Sequence, residues 1–144
     1  MKRILSALLC LVIGFGCMTL VSATTPADEA RELSAPTRMA YVSETRTNIG
    51  ISGGKATCTG SLTGYQGTTT KVEITLTLQR KLATSNIWSD YYNHPKQTFN
   101  TYKGVASFTK DIVKGYEYRT KAVYTAYAGT KYETFTEYSG ALAY

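Results

Sequence analysis

The sequence is poor in the side chains on which most catalytic and metal sites depend. It has one histidine, His94, and three cysteines, of which Cys10 and Cys17 lie near the N-terminus. A hydrolase of the Ser/His/Asp or Cys/His type needs a histidine beside its nucleophile, and nothing in the sequence brings His94 to Cys58 or to a serine. One histidine and one cysteine cannot complete a four-ligand zinc site. We therefore expect no enzyme and no cofactor or metal, with His94 exposed in a loop.

Runs of one charge and a second long hydrophobic stretch are also missing. Lys2 and Arg3 precede the apolar stretch Ile4–Val21, and small residues come after it up to Ala23, a pattern typical of a secretory signal peptide cleaved after Ala23. Removing this peptide lowers the formal net charge from +6 to +4, and the remaining Lys and Arg are scattered among Asp and Glu. We expect a secreted, extracellular protein without nucleic-acid binding and without a membrane span in its mature form.

The stretch 24–45 differs in composition from the remainder of the chain. It holds two of the three prolines, mixed charges and few large aliphatic residues. We interpret it as an exposed, flexible arm or linker between the signal-peptide helix, residues 1–23, and a single domain at 46–144. Its end, Met39–Val42, is apolar enough to pack on that domain.

From residue 46 onward, apolar and polar residues alternate with the period of a β-strand. The clearest case is 71–79, where Val72, Ile74, Leu76 and Leu78 share one side and Thr, Lys, Glu and Gln the other. Cys58 lies in a similar segment, which predicts a small buried side chain. Six or seven such segments separated by turn residues predict an all-β protein, an antiparallel immunoglobulin-like β-sandwich.

The segment "KGYEYRTKAVYTAY", Lys114–Tyr127, alternates most regularly. Tyrosines and small residues take its even positions, whereas its odd positions begin with three charges that we interpret as a solvated stripe, Glu117, Arg119 and Lys121. The segment resembles the penultimate strand of immunoglobulin-like and fibronectin type III-like sandwiches. In those folds one tyrosine hydroxyl bonds nearby backbone, and the resemblance assigns this role to Tyr116 or Tyr118. In the closing strand we interpret three charges as protection of an exposed edge, Lys131, Glu133 and Glu137.

Four blocks across residues 48–144 carry a broader resemblance. In order they are "ISGGKATCTGSL", "VEITLTLQRK", "GYEYRTKAVYTAY" and "YETFTEYS", with a Trp-containing loop after the second. Together they resemble small secreted single-domain β-sandwich proteins of Gram-positive bacteria, known as a domain of unknown function. The resemblance implies a secreted sandwich and supplies no catalytic residues.

The segment 83–100 is the least regular part of the domain, and it contains a cluster of aromatic residues. Trp88, Tyr91 and Tyr92 are interspersed with Asp90 and His94. An aromatic platform rimmed by polar groups holds sugar rings in many sandwich modules, because C–H faces stack on the ring and hydroxyls bond the rim. The alternative for Trp88 is a place in the sandwich core. A pair of carboxylates for glycoside cleavage is a further alternative, which the spacing of Asp and Glu in the sequence does not decide.

These observations favour a secreted, non-enzymatic binding module for a cell-wall glycan or a surface protein. The candidate ligand-binding residues are Trp88, Tyr91, Tyr92 and His94. The alternative is a bacteriocin-like or toxin-like secreted factor, because "WSDYYNHPKQTF", Trp88–Phe99, resembles a stretch of the lactococcin-type bacteriocins. The sequence does not indicate the oligomeric state.

Overall fold

The strands occupy the segments in which apolar and polar residues alternate. The computed structural model describes residues 39–144, and every regular element in that part of the chain is a β-strand. The strands are β1 (Val42–Ser52), β2 (Lys55–Gly64), β3 (Lys71–Leu82), β4 (Ser89–Asn93), β5 (Gln97–Phe99), β6 (Lys103–Asp111), β7 (Tyr116–Ala128), β8 (Lys131–Tyr138) and β9 (Leu142–Ala143). The predicted signal peptide with its cleavage after Ala23, and the arm up to residue 38, lie outside the described residues.

All strand pairs are antiparallel, and they form two sheets. The smaller sheet has the order β1-β2-β6, and the larger has the order β4-β3-β7-β8, with β5 added to β3 and β9 added to β7. The all-β antiparallel prediction is confirmed. Seven strands have five residues or more, in line with the predicted six or seven, and the short β5 and β9 bring the total to nine. No helix among residues 39–144 is long and apolar enough to cross a membrane.

The core consists of the inward-facing residues of both sheets. In β3 the predicted side is fully buried, as are Cys58 and Leu62 of β2 and the even positions of β7 from Tyr118 to Ala126. Burying each Leu or Ile side chain contributes about 1.5–3 kcal/mol, and that burial fixes which face of each strand turns inward. Glycine is required at Gly60, where a Cβ atom would lie 2.7 Å from a methyl carbon of Leu76 and 2.9 Å from the Tyr124 hydroxyl oxygen.

The described domain begins earlier than predicted, because β1 starts at Val42 rather than after residue 45. Val42 is buried, and Met39 and Tyr41 pack against the core, as expected for the end of the arm. Glu133 explains why this segment is held against the domain, since its carboxylate accepts the backbone N–H groups of Ala40 at 3.0 Å and Tyr41 at 2.6 Å. A carboxylate that accepts two amide N–H groups ties the segment to β8.

The acidic residues of β8 join the two sides of the sandwich. Glu137 accepts the hydroxyl groups of Thr45 and Thr47 on β1, the latter at 3.2 Å. Glu133 and Glu137 are both half-buried, while their neighbours Tyr132 and Tyr138 are exposed. The hydrogen bonds turn both glutamates inward, and β8 is still the last strand of its sheet among the described residues, so edge protection stays a prediction.

Tyr118 makes the backbone contact that the sequence assigned to it or to Tyr116. Its hydroxyl donates to the Val113 carbonyl at 2.9 Å and accepts the Val113 N–H at 3.1 Å. The ring is fully buried, and Tyr116 lies beside it with the two ring centres 6.3 Å apart. One buried hydroxyl thus satisfies both polar groups of a residue in the β6–β7 connection.

Candidate binding surface

The outer face of the larger sheet carries a row of hydrogen-bonded polar side chains. The register pairs Gln79 of β3 with Arg119 of β7 on one side and with Asp90 of β4 on the other. Gln79 donates through Nε2 to Asp90 Oδ1 at 2.7 Å and accepts Arg119 Nε–H at 2.9 Å through its Oε1. Only 7% of Gln79 is exposed, so this amide is buried but satisfied on both sides. The row fixes the position of the Arg119 guanidinium.

The guanidinium of Arg119 lies between two aromatic rings. Its central carbon is 4.2 Å from the ring centre of Trp88 and 4.2 Å from that of Tyr138. Tyr138 shares this face because the β7–β8 register sets it opposite Lys121, two residues from Arg119. A cation over an aromatic face contributes about 0.5–1 kcal/mol at an exposed site and more where water is excluded. We call these three residues the Trp88–Arg119–Tyr138 stack.

The stack combines exposed aromatic surface with hydrogen-bond donors that have no partner in the described part of the chain. Tyr138 is 50% exposed, and Trp88 and Arg119 are half-buried. Within residues 39–144, Arg119 makes its hydrogen bond through Nε, and its two terminal nitrogens make none. Lys81 lies near Trp88 as well, with its ammonium 5.5 Å from the ring centre, but it is paired with Glu117 at 2.9 Å.

The four residues predicted to bind a ligand do not share one surface. Trp88 belongs to the stack, whereas the rings of Tyr92 and His94 contact Phe108 of β6, with ring centres 5.2 Å and 5.0 Å away. Tyr91 donates its hydroxyl to the carbonyl of Asp111, also on β6, at 3.3 Å. Tyr91, Tyr92 and His94 are half-buried at the junction of the two sheets. An irregularity in the β3–β4 register between Leu78 and Gln79 separates them from Trp88.

His94 differs from the exposed loop histidine that the sequence predicted. Its ring stacks on Phe108 at an interplanar angle of 15°, and Nδ1 is buried without a hydrogen-bond partner among the described residues. Nε2 lies 3.0 Å from the side-chain nitrogen of Gln97. The expectation of exposure is wrong because the backbone of His94 is tied to β3, with its N–H donating to the Leu76 carbonyl at 2.9 Å.

The sequence left two alternatives for Trp88, a place in the sandwich core or an exposed platform, and its observed position matches neither fully. It is absent from the buried core, and it is not a bare platform, because Arg119 covers one ring face. Sequence reasoning placed Arg119 correctly on the outer side of its strand but interpreted it as solvated, and it did not single out Tyr138. The alternation of side chains in β7 and β8 indicates the face on which Arg119 and Tyr138 lie. Only the register between the two strands shows that the two residues are neighbours.

The one cysteine in this part of the chain is unsuited to nucleophilic chemistry. Cys58 is fully buried in β2, as predicted, and burial raises the pKa of its thiol to about 11 despite a hydrogen bond with Thr120. The thiolate is the reactive form, so a thiol with this pKa is inert near neutral pH. No group of three or more His, Cys, Asp or Glu side chains suitable for a metal ion occurs in residues 39–144.

Comparison with known proteins yields distant structural likeness only. No known protein family and no curated protein matches the chain. The solution structure of CsgH from R. palustris is 14% identical, with a TM-score of 0.40, over 69% of this chain and 90% of that one. The crystal structure of Spo0M, a sporulation control protein from Bacillus subtilis, is 10% identical, with a TM-score of 0.36, over 70% of this chain. The matched part spans about half the length of Spo0M, 50%.

Proposed function

We propose that this protein is a secreted, non-enzymatic β-sandwich module that binds a cell-surface glycan through the Trp88–Arg119–Tyr138 stack. The observation that carries the proposal is the Arg119 guanidinium, which contacts two rings on an exposed sheet face and whose terminal nitrogens have no partner among residues 39–144. Gln79 and the two rings hold the Arg119 guanidinium in place, so binding costs little side-chain ordering. Secretion is supported by the signal-peptide pattern that ends at Ala23.

The chemistry of the stack favours a sugar that carries an acidic group. The exposed part of Tyr138 and the edge of Trp88 offer apolar surface to the C–H face of a sugar ring. Arg119 offers two parallel N–H donors, the arrangement that binds a carboxylate or phosphate with two hydrogen bonds. Lys121, two residues along β7, adds a second positive charge on the same face. A surface protein with acidic side chains is the other ligand that this chemistry accommodates.

We also infer that the sandwich is of the immunoglobulin-like type, related to the small secreted proteins of Gram-positive bacteria. The hydroxyl of Tyr118 supports this inference, because it bonds the backbone five residues upstream as a corner tyrosine does. The buried Cys58 and the packing of His94 against Phe108 support the absence of an enzymatic role. The bacteriocin-like alternative depends on residues 88–99 alone.

A pull-down with cell-wall material tests the proposal. Purified protein is mixed with isolated bacterial cell walls, and bound protein is measured over a concentration series. Tyr138→Ala should weaken binding about tenfold, as expected for a central aromatic contact. Tyr132→Ala is the matched control, because Tyr132 is 65% exposed on the same face of the same strand. It should bind as the unaltered protein does.

Two outcomes contradict the proposal. Equal affinities for the Tyr138 and Tyr132 variants would exclude the stack as the binding site. Absence of saturable binding, combined with growth inhibition of neighbouring cells by the pure protein, would favour the toxin-like alternative. Circular dichroism of each variant confirms that the sandwich is intact before binding is compared.

A further inference from the structure

The strand β6 has a neighbour on one side only. In the order β1-β2-β6 its second edge is not paired with any strand of residues 39–144. Just beyond its ends, the Gly64 N–H donates to the Tyr102 carbonyl at 2.7 Å and the Ile112 N–H donates to the Gly54 carbonyl at 3.0 Å. The even-numbered residues of β6 therefore direct their backbone N–H and C=O groups toward β2. Because these groups alternate along a strand, the odd-numbered residues from 103 to 111 direct theirs toward the open edge.

This edge lacks the features that usually prevent a strand from pairing with another chain. Residues 104–109 carry no charge and no proline, and the register with β2 is regular over the whole strand. Val105 is 60% exposed on the outer face. The opposite side of the sandwich is different, because Glu137 of β8 accepts hydrogen bonds from β1, and Glu133 accepts them from Ala40 and Tyr41 just before β1. A regular edge whose central residues 104–109 are uncharged is a template for a further strand.

The sequence of β6 is complementary to itself in the antiparallel direction. When two copies pair about Ser107, Lys103 lies opposite the partner's Asp111 and Val105 lies opposite the partner's Thr109. All of these residues have outward-directed backbone groups and side chains on the outer face, so the hydrogen-bond pattern and the charge pattern agree. Moving the two-fold axis by one residue in either direction removes the Lys103–Asp111 opposition.

We propose that this protein forms a two-fold symmetric dimer in which β6 pairs with β6 of a second copy. The two small sheets then form one continuous sheet with the order β1-β2-β6-β6-β2-β1. The last hydrogen bond at each end of the β6–β6 pair shares its acceptor, because the Asp111 carbonyl already accepts the Tyr91 hydroxyl at 3.3 Å. Asp111 also binds Lys55 of its own chain at 2.7 Å, so Lys103 of the partner subunit completes a three-residue ion network.

The dimer goes beyond the proposed glycan binding, and it changes what that binding can achieve. Each copy contributes one Trp88–Arg119–Tyr138 stack, and both stacks lie on the larger sheets, which do not contain β6. Two sites in one assembly bind a repeating polymer far more tightly than either site alone, provided that the polymer spans both. Dimerisation itself is independent of the ligand, so it can fail while glycan binding persists.

Charge reversal at the two ends of β6 tests the register. The full-length mature protein is examined by sedimentation velocity from micromolar to millimolar concentration. Lys103→Asp and Asp111→Lys should each weaken the dimer about tenfold, because each places like charges opposite one another twice. The double variant Lys103→Asp/Asp111→Lys should restore it. Lys55→Gln removes the pair within one chain and should leave the dimer largely intact.

A disulfide trap tests the position of the axis independently of charge. Residues opposite one another in a hydrogen-bonded antiparallel pair have Cα atoms about 5.5 Å apart, within the range that a disulfide bridges. Ser107→Cys should therefore form a covalent dimer on mild oxidation, whereas Thr57→Cys, on the same face of the central strand β2, should not. A monomer at every concentration, or equal cross-linking of the two variants, would overturn the proposal.

Discussion

At the scale of single residues, the close approach of the two sheets depends on the missing side chain of Gly60. A Cβ atom there would overlap Leu76 and the Tyr124 hydroxyl, both fully buried, so the sheets would have to separate. Gly60→Ala should lower the free energy of unfolding by about 1–3 kcal/mol, the usual cost of overpacking. Gly50→Ala is the control, because no atom lies within 4 Å of its added carbon. Urea unfolding of both variants checks this, and equal stabilities would contradict it.

The thiol of Cys58 makes stability depend on pH in alkaline solution. Its pKa is raised to about 11 in the folded protein, mainly by burial, whereas the unfolded chain has a value near 8.5–9. Between these values the folded state binds more protons than the unfolded state, so this group's contribution to stability is complete below about pH 8.5 and declines as the pH rises toward 11.

Cys58→Ala should therefore show a shallower loss of stability than the unaltered protein between about pH 8.5 and 11. Thermal unfolding across that range measures the difference. The native thiol should also resist a thiol reagent at pH 8 and react only on unfolding. Rapid labelling of the folded protein would contradict the buried position of Cys58 in β2.

At the scale of elements, the alternation of side chains predicted the strands well and their partners poorly. Burial of one face dictates the period of two, and this is a local property that the residues of β2, β3 and β7 express directly. The orientation of β8 depended on a competition between two tyrosines and two glutamates for the inner side. Hydrogen bonds from Thr45 and Thr47 of β1 decided it, and these residues lie 92 and 90 positions before Glu137 in the chain.

Glu137 is the contact that most directly joins β1 to β8. Its replacement by Ala leaves the Thr45 hydroxyl without its acceptor and leaves Thr47 with the Tyr124 hydroxyl alone, which should destabilise the protein by about 1–3 kcal/mol. Amide hydrogen exchange should accelerate in β1 more than in β2. Glu44→Ala is the control, since Glu44 pairs with the exposed Arg46 on its own strand. Equal exchange in the two variants would show that the junction does not depend on Glu137.

At the scale of the whole molecule, composition and periodicity predicted an all-β domain but could not locate the proposed binding surface. The stack is assembled from the loop before β4, from β7 and from β8, three segments whose spatial order is set by pairing rather than by sequence spacing. The predicted aromatic cluster was divided for the same reason. An irregular register sent Tyr91, Tyr92 and His94 toward β6 and left Trp88 on the outer face.

The whole account depends most on glycan binding at this outer face, and the single tryptophan allows a direct measurement. The indole N–H of Trp88 gives one isolated signal in a proton–nitrogen NMR spectrum, and the Nε–H of Arg119 gives a second signal among those of the other arginines. Titration with soluble cell-wall glycan fragments should shift both signals with a common saturation curve. Saturable shifts confined to His94, Tyr91 and β6, with the indole signal unmoved, would contradict the account.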